Sequence, residues 1–131
     1  MMICKGDKAM SKVLDFLREC GAFFVLTKNE NFPAGRPFGA VTEIDSDLYI
    51  STSYTKAVYR QLKAHHEIQI AALKPGTREW IRISGIATEI YDIPRKQKML
   101  DDCQNLHKYH TDPHDKDFNV FKVEILNVEF K

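Results

Sequence analysis

The sequence predicts a small, mainly β domain with helices: six antiparallel strands and three helices, with the strands forming a barrel. Three observations predict it. Six runs of strand length, apolar or alternating, are spread along the chain. Most of the breaks between them are short and hold Gly, Pro, Asn or Asp, as antiparallel connections do. Only three segments change to helical spacing. Many antiparallel strands in 131 residues favour a barrel, which hides strand edges. That length suits a single domain spanning residues 1–131.

The elements follow in order. Met10, Val13, Leu14 and Leu17 have i, i+3, i+4, i+7 spacing, one apolar helix face, and Gly21 stands where a helix C-terminal glycine belongs. Residues 22–27 are dense in Phe and Val and read as a buried strand. Residues 29–35 carry Asn, Pro and Gly and read as a turn. Residues 36–44 form the second strand, Asp45, Ser46 and Asp47 turn the chain, and 48–52 form the third, so the first three strands make a meander. Val58 and Leu62, four apart among polar residues, place a helix over 53–66.

Residues 67–73 are the fourth strand, 74–77 a turn, and 79–91 a long fifth strand. Along it Ile81 and Ile83 face one way, and Trp80, Arg82 and Ser84 the other. Gly85 interrupts it, as at a bulge or a close backbone approach. Asp92 and Pro94 begin a third helix, whose apolar face is Met99, Leu100, Cys103 and Leu106. Residues 109–116 are a polar loop around Pro113, and 120–130 the last strand.

Composition excludes several functions. The hydrophobic fraction of 44% and charged fraction of 28% are those of an ordinary globular protein. A formal net charge of +1 argues against nucleic-acid binding through a broad basic surface, so any cation with a role acts locally. The N-terminal residues 1–10 lack the apolar core of a signal peptide, and no run approaches the ~18 apolar residues of a membrane span. The expected compartment is the cytoplasm, with no membrane partner. Cys4, Cys20 and Cys103 form no CxxC pair and read as buried or incidental thiols.

Three segments carry chemistry. Ser51-Thr52-Ser53-Tyr54-Thr55-Lys56 lies at a strand end and opens a helix. Helix N-termini present unpaired N–H groups and a positive dipole end to phosphate, and Lys56 adds a charge. Taken alone, the segment reads first as a Ser/Thr-rich helix cap. Arg36-Pro37-Phe38-Gly39 fits a strand start at which a flat ligand approaches the backbone at Gly39, or a plain turn with an exposed Arg. Trp80, Arg82 and Ser84 share a face that either lines a cleft or is half-exposed with a cation–π pair. His107, His110 and His114, with Asp112 and Asp115, read as a solvated loop rather than a metal site, because Pro113 breaks any helix that would align them. His65 and His66 stand at a helix end and read as structural. No nucleophile elbow, Walker loop or GxGxxG is present.

In this order, the segments 36–41, 52–62 and 80–85 resemble the pyridoxamine 5′-phosphate oxidase-like family of FMN-binding split barrels. The likeness runs from the helix at Met10 to the final strand. It implies a six-stranded split barrel and a homodimer with two FMN sites at the interface. It implies that Arg36 and Lys56 contact the phosphate, helped by Ser53 and Thr55, and that Pro37, Phe38 and Gly39 run along the isoalloxazine. Ser51 and Thr52 would border the cofactor. Trp80 falls where the biosynthetic oxidases commonly carry a flavin-contacting Gln, and Arg82 would face the cofactor or the partner subunit. The sequence ends at Val128-Glu129-Phe130-Lys131 without the C-terminal substrate-binding segment of those oxidases, so the expected activity is FMN-dependent redox chemistry on another small molecule. A non-catalytic flavin module, and a barrel holding deazaflavin or haem, are the alternatives. No side chain stands out as an obligatory acid or base, so no catalytic residue is named, and no metal site is expected.

Overall fold

The computed structural model describes residues 8–131, with side chains from Lys12 onward. Cys4 and the side chain of Met10 lie outside the described residues. The elements are α1 (Lys8–Cys20), β1 (Phe23–Asn29), β2 (Phe32–Phe38), β3 (Thr42–Ile44), β4 (Asp47–Thr52), α2 (Ala57–Ala64), β5 (Glu67–Leu73), β6 (Trp80–Ile90), α3 (Ile93–Asp102), a 3₁₀ turn (Gln104–Lys108) and β7 (Asn119–Phe130). All strand pairs are antiparallel, in the order β2-β1-β5-β6-β7-β4-β3.

That order forces the sheet to roll. β2 and β3 are its two edges, yet only residues 39–41 separate them along the chain. Four Cα steps reach at most about 14 Å. The edges of a flat seven-stranded sheet would stand about 29 Å apart, at about 4.8 Å per strand. The sheet therefore curls until its edges nearly meet without pairing, which is a split barrel.

Among the described residues seven strands, not six, build it. The run 36–44 is two strands with a break at 39–41, and these two strands do not pair, so the expected meander is interrupted there. β2 also begins earlier than expected, at Phe32. The turn before it is only Glu30 and Asn31, with Glu30 at φ 56°. Pro33 and Gly35, which read as turn residues, lie within β2. An edge strand tolerates them because its outer side makes no ladder. Asp45 and Ser46, at φ 51° and 71°, make the two-residue turn between β3 and β4.

Inside the barrel a continuous core joins Val13 and Leu17 of α1 to Val25, Ile50, Leu62, Ile70, Ile81, Ile83 and Val123. A second cluster, with Tyr49, Phe118 and Val120, packs beneath Met99 and Leu100 of α3. The α3 start is as expected: the Asp92 side chain accepts from the Arg95 amide, with Pro94 in the first turn. Along β6, Ile81 and Ile83 are buried and Arg82 exposed, and the register with β7 shifts between Ser84 and Gly85. Among the described residues no helix is long and apolar enough to cross a membrane.

Candidate functional site

A cavity of about 650 Å³ opens where the rolled edges approach each other. Arg36, Pro37, Phe38 and Gly39 line one wall, from β2 and the crossing between edges. Ser51, Thr52, Ser53 and Lys56 line the next, from the end of β4 and the loop that follows. Eight of the residues singled out in the sequence, from two segments far apart along the chain, thus meet in one place. Thr55 joins them through Ser53: the two hydroxyls lie 2.8 Å apart, and the Thr55 amide donates to the Ser53 hydroxyl at 3.3 Å.

The local structure removes the helix-cap reading of 51–56. The helix begins at Ala57, later than the spacing predicts, and its N-cap is Lys56, with extended backbone and no side-chain cap bond. The hydroxyls therefore do not cap α2, although a Ser/Thr-rich segment usually does so. They and the exposed Lys56 remain available at the cleft.

Arg36 is half-buried and held from behind. One terminal nitrogen donates to the Val25 carbonyl at 3.1 Å and the Thr27 hydroxyl at 2.8 Å. The other donates to Gln61 Oε1 at 2.5 Å, and this oxygen also accepts from the Thr27 hydroxyl. A guanidinium has five N–H donors. Among the described residues these contacts leave the Nε–H and one terminal N–H without a partner. Burial pulls the Arg36 pKa down from its usual value, and arginine remains cationic nonetheless. The result is a fixed cation with unused donors in a cavity of ordinary ligand size. Gln61 and Thr27 hold that cation, and neither stands out in the sequence because their partners are remote along the chain.

The third wall was not legible as such. Asn105, Leu106, Tyr109 and His110 come from the 3₁₀ turn and the segment after it, and the Asn105 amide donates to the Gly39 carbonyl at 3.0 Å. The expectation of a solvated loop is thus corrected in part: its first residues wall the cleft, while Pro113 is buried. The three histidines do not converge. His107 bonds the Leu100 carbonyl at 2.7 Å and His114 bonds Asp112 at 2.8 Å. His110 faces two carboxylates, at 3.5 Å from Asp115 and 3.9 Å from Asp117.

Trp80 and Arg82 lie elsewhere. They border a separate groove of about 500 Å³ with Phe24 and Leu73. Arg82 stands 5.6 Å above the Trp80 ring and pairs with Glu129, matching the half-exposed cation–π reading. Within one chain they do not join the cleft.

The model of the family described as "Pyridoxamine 5'-phosphate oxidase" matches residues 9–131. No curated protein matches the sequence. Among solved structures, a NimC/NimA family protein from Clostridium acetobutylicum is 26% identical, with a TM-score of 0.81, covering 92% of this chain and 94% of its own. General Stress Protein 26 from Bacillus anthracis is 14% identical, with a TM-score of 0.77 over 95% and 94%. A pyridoxamine 5′-phosphate oxidase-related, FMN-binding protein from Nostoc punctiforme is 16% identical, with a TM-score of 0.75 over 95% and 84%. The likeness to the last two is one of fold.

Proposed function

Because the chain belongs to the pyridoxamine 5′-phosphate oxidase family, we propose that it is a flavoprotein holding FMN in the cleft between the 36–39 and 51–56 segments. The observation that carries this reading is Arg36: a guanidinium clamped by Gln61, Thr27 and Val25, with donors to spare, on the same cleft as Ser53 and Lys56. Such a set suits a phosphate monoester, which takes charge-assisted bonds from a planar fork and a mobile ammonium together. The FMN binding of the Nostoc relative supports the same ligand.

Arg36, Lys56, Ser53 and Thr55 would hold the phosphate. The backbone of 37–39 would run beside the ring system, where Gly39 leaves room for close approach: a Cβ there would meet only the Asn105 amide nitrogen, at 3.5 Å. FMN, when bound, supplies reversible one- and two-electron transfer. The protein's part is to bind, orient and screen. The proposed activity is FMN-dependent oxidation or reduction of a small molecule. With FMN loaded, the protein is expected to oxidise a reduced nicotinamide faster than the same concentration of free FMN. A loaded protein with no rate above free FMN would contradict the enzymatic part and leave a binding module.

The proposal includes a homodimer. The groove at Trp80 and Arg82 carries Phe24, 51% exposed, and Leu73, 58% exposed, an apolar surface of the kind that subunits cover. In such a pair Trp80 and Arg82 would serve the partner's cofactor. Sedimentation is expected to give twice the chain mass of 15.2 kDa. The chain mass alone, with FMN bound, would contradict it.

A further inference from the structure

Among the described residues, the loop that would grip the phosphate is fastened to the barrel through the Tyr54 backbone amide, and that amide leads to a buried carboxylate. Within the loop, the Lys56 amide donates to the Ser53 carbonyl at 3.0 Å and the Thr55 amide to the Ser53 hydroxyl. Both bonds are internal and do not fix the loop against the sheet. The Tyr54 amide donates outward, to Asn119 Oδ1 at the start of β7, at 2.7 Å. The Asn119 side-chain NH₂ in turn donates to Glu89 Oε2 on β6, at 3.1 Å. The other Glu89 oxygen accepts from the Tyr59 hydroxyl at 2.7 Å, from Lys63 at 3.2 Å and from the Tyr91 hydroxyl at 3.1 Å. The Glu89 side chain is only 3% exposed, and Asn119 is 9% exposed.

A carboxylate accepts and never donates. Asn119 must therefore turn its NH₂ toward Glu89, which leaves its oxygen for the Tyr54 amide. The same NH₂ also donates to the Lys116 carbonyl, at 3.4 Å, so Glu89 and that carbonyl, both acceptors, set the polarity of the chain of bonds together. Burial alone would raise the Glu89 pKa, but the bonds from Tyr59, Lys63 and Tyr91 together outweigh it and hold the group below its usual value. It is thus ionised at neutral pH, as this orientation requires.

We propose that Glu89, acting through Asn119, is a positioning residue for the loop that carries Ser53, Thr55 and Lys56. It touches no ligand. It makes the shorter of the two bonds that turn the Asn119 NH₂ away from Tyr54, and so helps to fix where the Tyr54 backbone is pinned. Tyr59 and Lys63 of α2 bond the same carboxylate, so both ends of the loop-to-helix unit are referred to one group. The inference rests on the FMN reading, since it concerns how the phosphate grip is placed.

The test compares FMN with riboflavin, which lacks the phosphate. Glu89→Gln keeps the shape but replaces an acceptor by a donor. Whichever way the new amide turns, a donor meets a donor, at Asn119 or at Lys63. Asn119→Ala removes the acceptor of the Tyr54 amide directly and decides the matter if Glu89→Gln does not fold. Each folded variant is expected to lose about tenfold in FMN affinity, the scale of one well-made bond to a charged group, while riboflavin affinity stays within about twofold. A general loosening of the fold would weaken both ligands together. An unchanged FMN-to-riboflavin ratio, or a parallel loss of both, would overturn the assignment. A wild-type protein that binds neither flavin would overturn the FMN reading itself, and this inference with it.

Discussion

Arg36→Ala is expected to weaken FMN binding by about 100-fold, near the upper end for loss of a charged donor to phosphate. The size follows from what the guanidinium does. It is fixed before the ligand arrives, by Val25, Thr27 and Gln61, so little ordering is left for binding to impose. Its two unused N–H groups would meet the phosphate as a fork. The same substitution strips partners from the Val25 carbonyl and from Gln61, and is expected to lower stability by about 1–3 kcal/mol. Lys56→Ala makes the contrast. Lys56 is exposed and its side chain makes no cap bond, so its removal is expected to weaken FMN by roughly tenfold with an unchanged melting temperature. Arg36→Lys is not expected to restore affinity, because an ammonium cannot keep the Thr27 and Gln61 bonds and still present a fork. Calorimetric titration with FMN, paired with thermal melts, reads all three. Equal FMN affinity for Arg36→Ala and wild type would remove Arg36 from the site.

Gly85→Ala is expected to destabilise the fold by about 3 kcal/mol, lowering the melting temperature by roughly 10 °C. A Cβ at this position would stand 2.6 Å from the Glu124 carbonyl oxygen and 2.8 Å from a Val123 methyl. The first of these is backbone of the neighbouring strand and cannot rotate away. The contact lies where the β6–β7 register slips between Ser84 and Gly85. Relieving it means prising apart two strands in the interior of the sheet order. Gly35→Ala is the control: a Cβ there meets Leu26 at 3.6 Å, an ordinary contact on an edge strand, so its melt is expected to move by no more than about 2 °C. If both variants melt together, the steric account of Gly85 fails.

Gly85 also shows what a sequence can reveal. A lone glycine in a strand pattern signals a close approach whatever lies opposite, so the bulge was legible without the partner strand. The same holds for the Asp92 and Pro94 helix start and for the alternation along β6, because each is a local rule. The break at 39–41 obeys no local rule. The chain leaves one edge of the sheet for the other there, and only the strand order reveals it. Pro33 and Gly35 misled for a related reason: they mark a turn in most settings and are tolerated within a strand only when it is an edge.

The site divides in the same way. Arg36 to Gly39 and Ser51 to Lys56 carry residue types suited to phosphate, and the fold brings eight of these residues to one cleft. What holds them in place did not show. Gln61 supports Arg36 from 25 positions away, and Asn119 pins Tyr54 from 65 away. A polar residue with a distant partner looks, in sequence, like any other surface residue. The cleft wall at 105–110 was missed because Cys103 and Leu106 continue the apolar spacing of the third helix, whereas the helix ends at Asp102 and a 3₁₀ turn follows. Trp80 and Arg82 were placed with the cofactor by resemblance alone, and in one chain they face another groove.

FMN is proposed to sit in the cleft by its phosphate, and titrating the purified protein with FMN while recording the visible spectrum tests this. Saturable uptake of one FMN per chain is expected, with the flavin bands perturbed from those of free FMN and with riboflavin bound more weakly. A spectrum that remains the simple sum of protein and free flavin would contradict it.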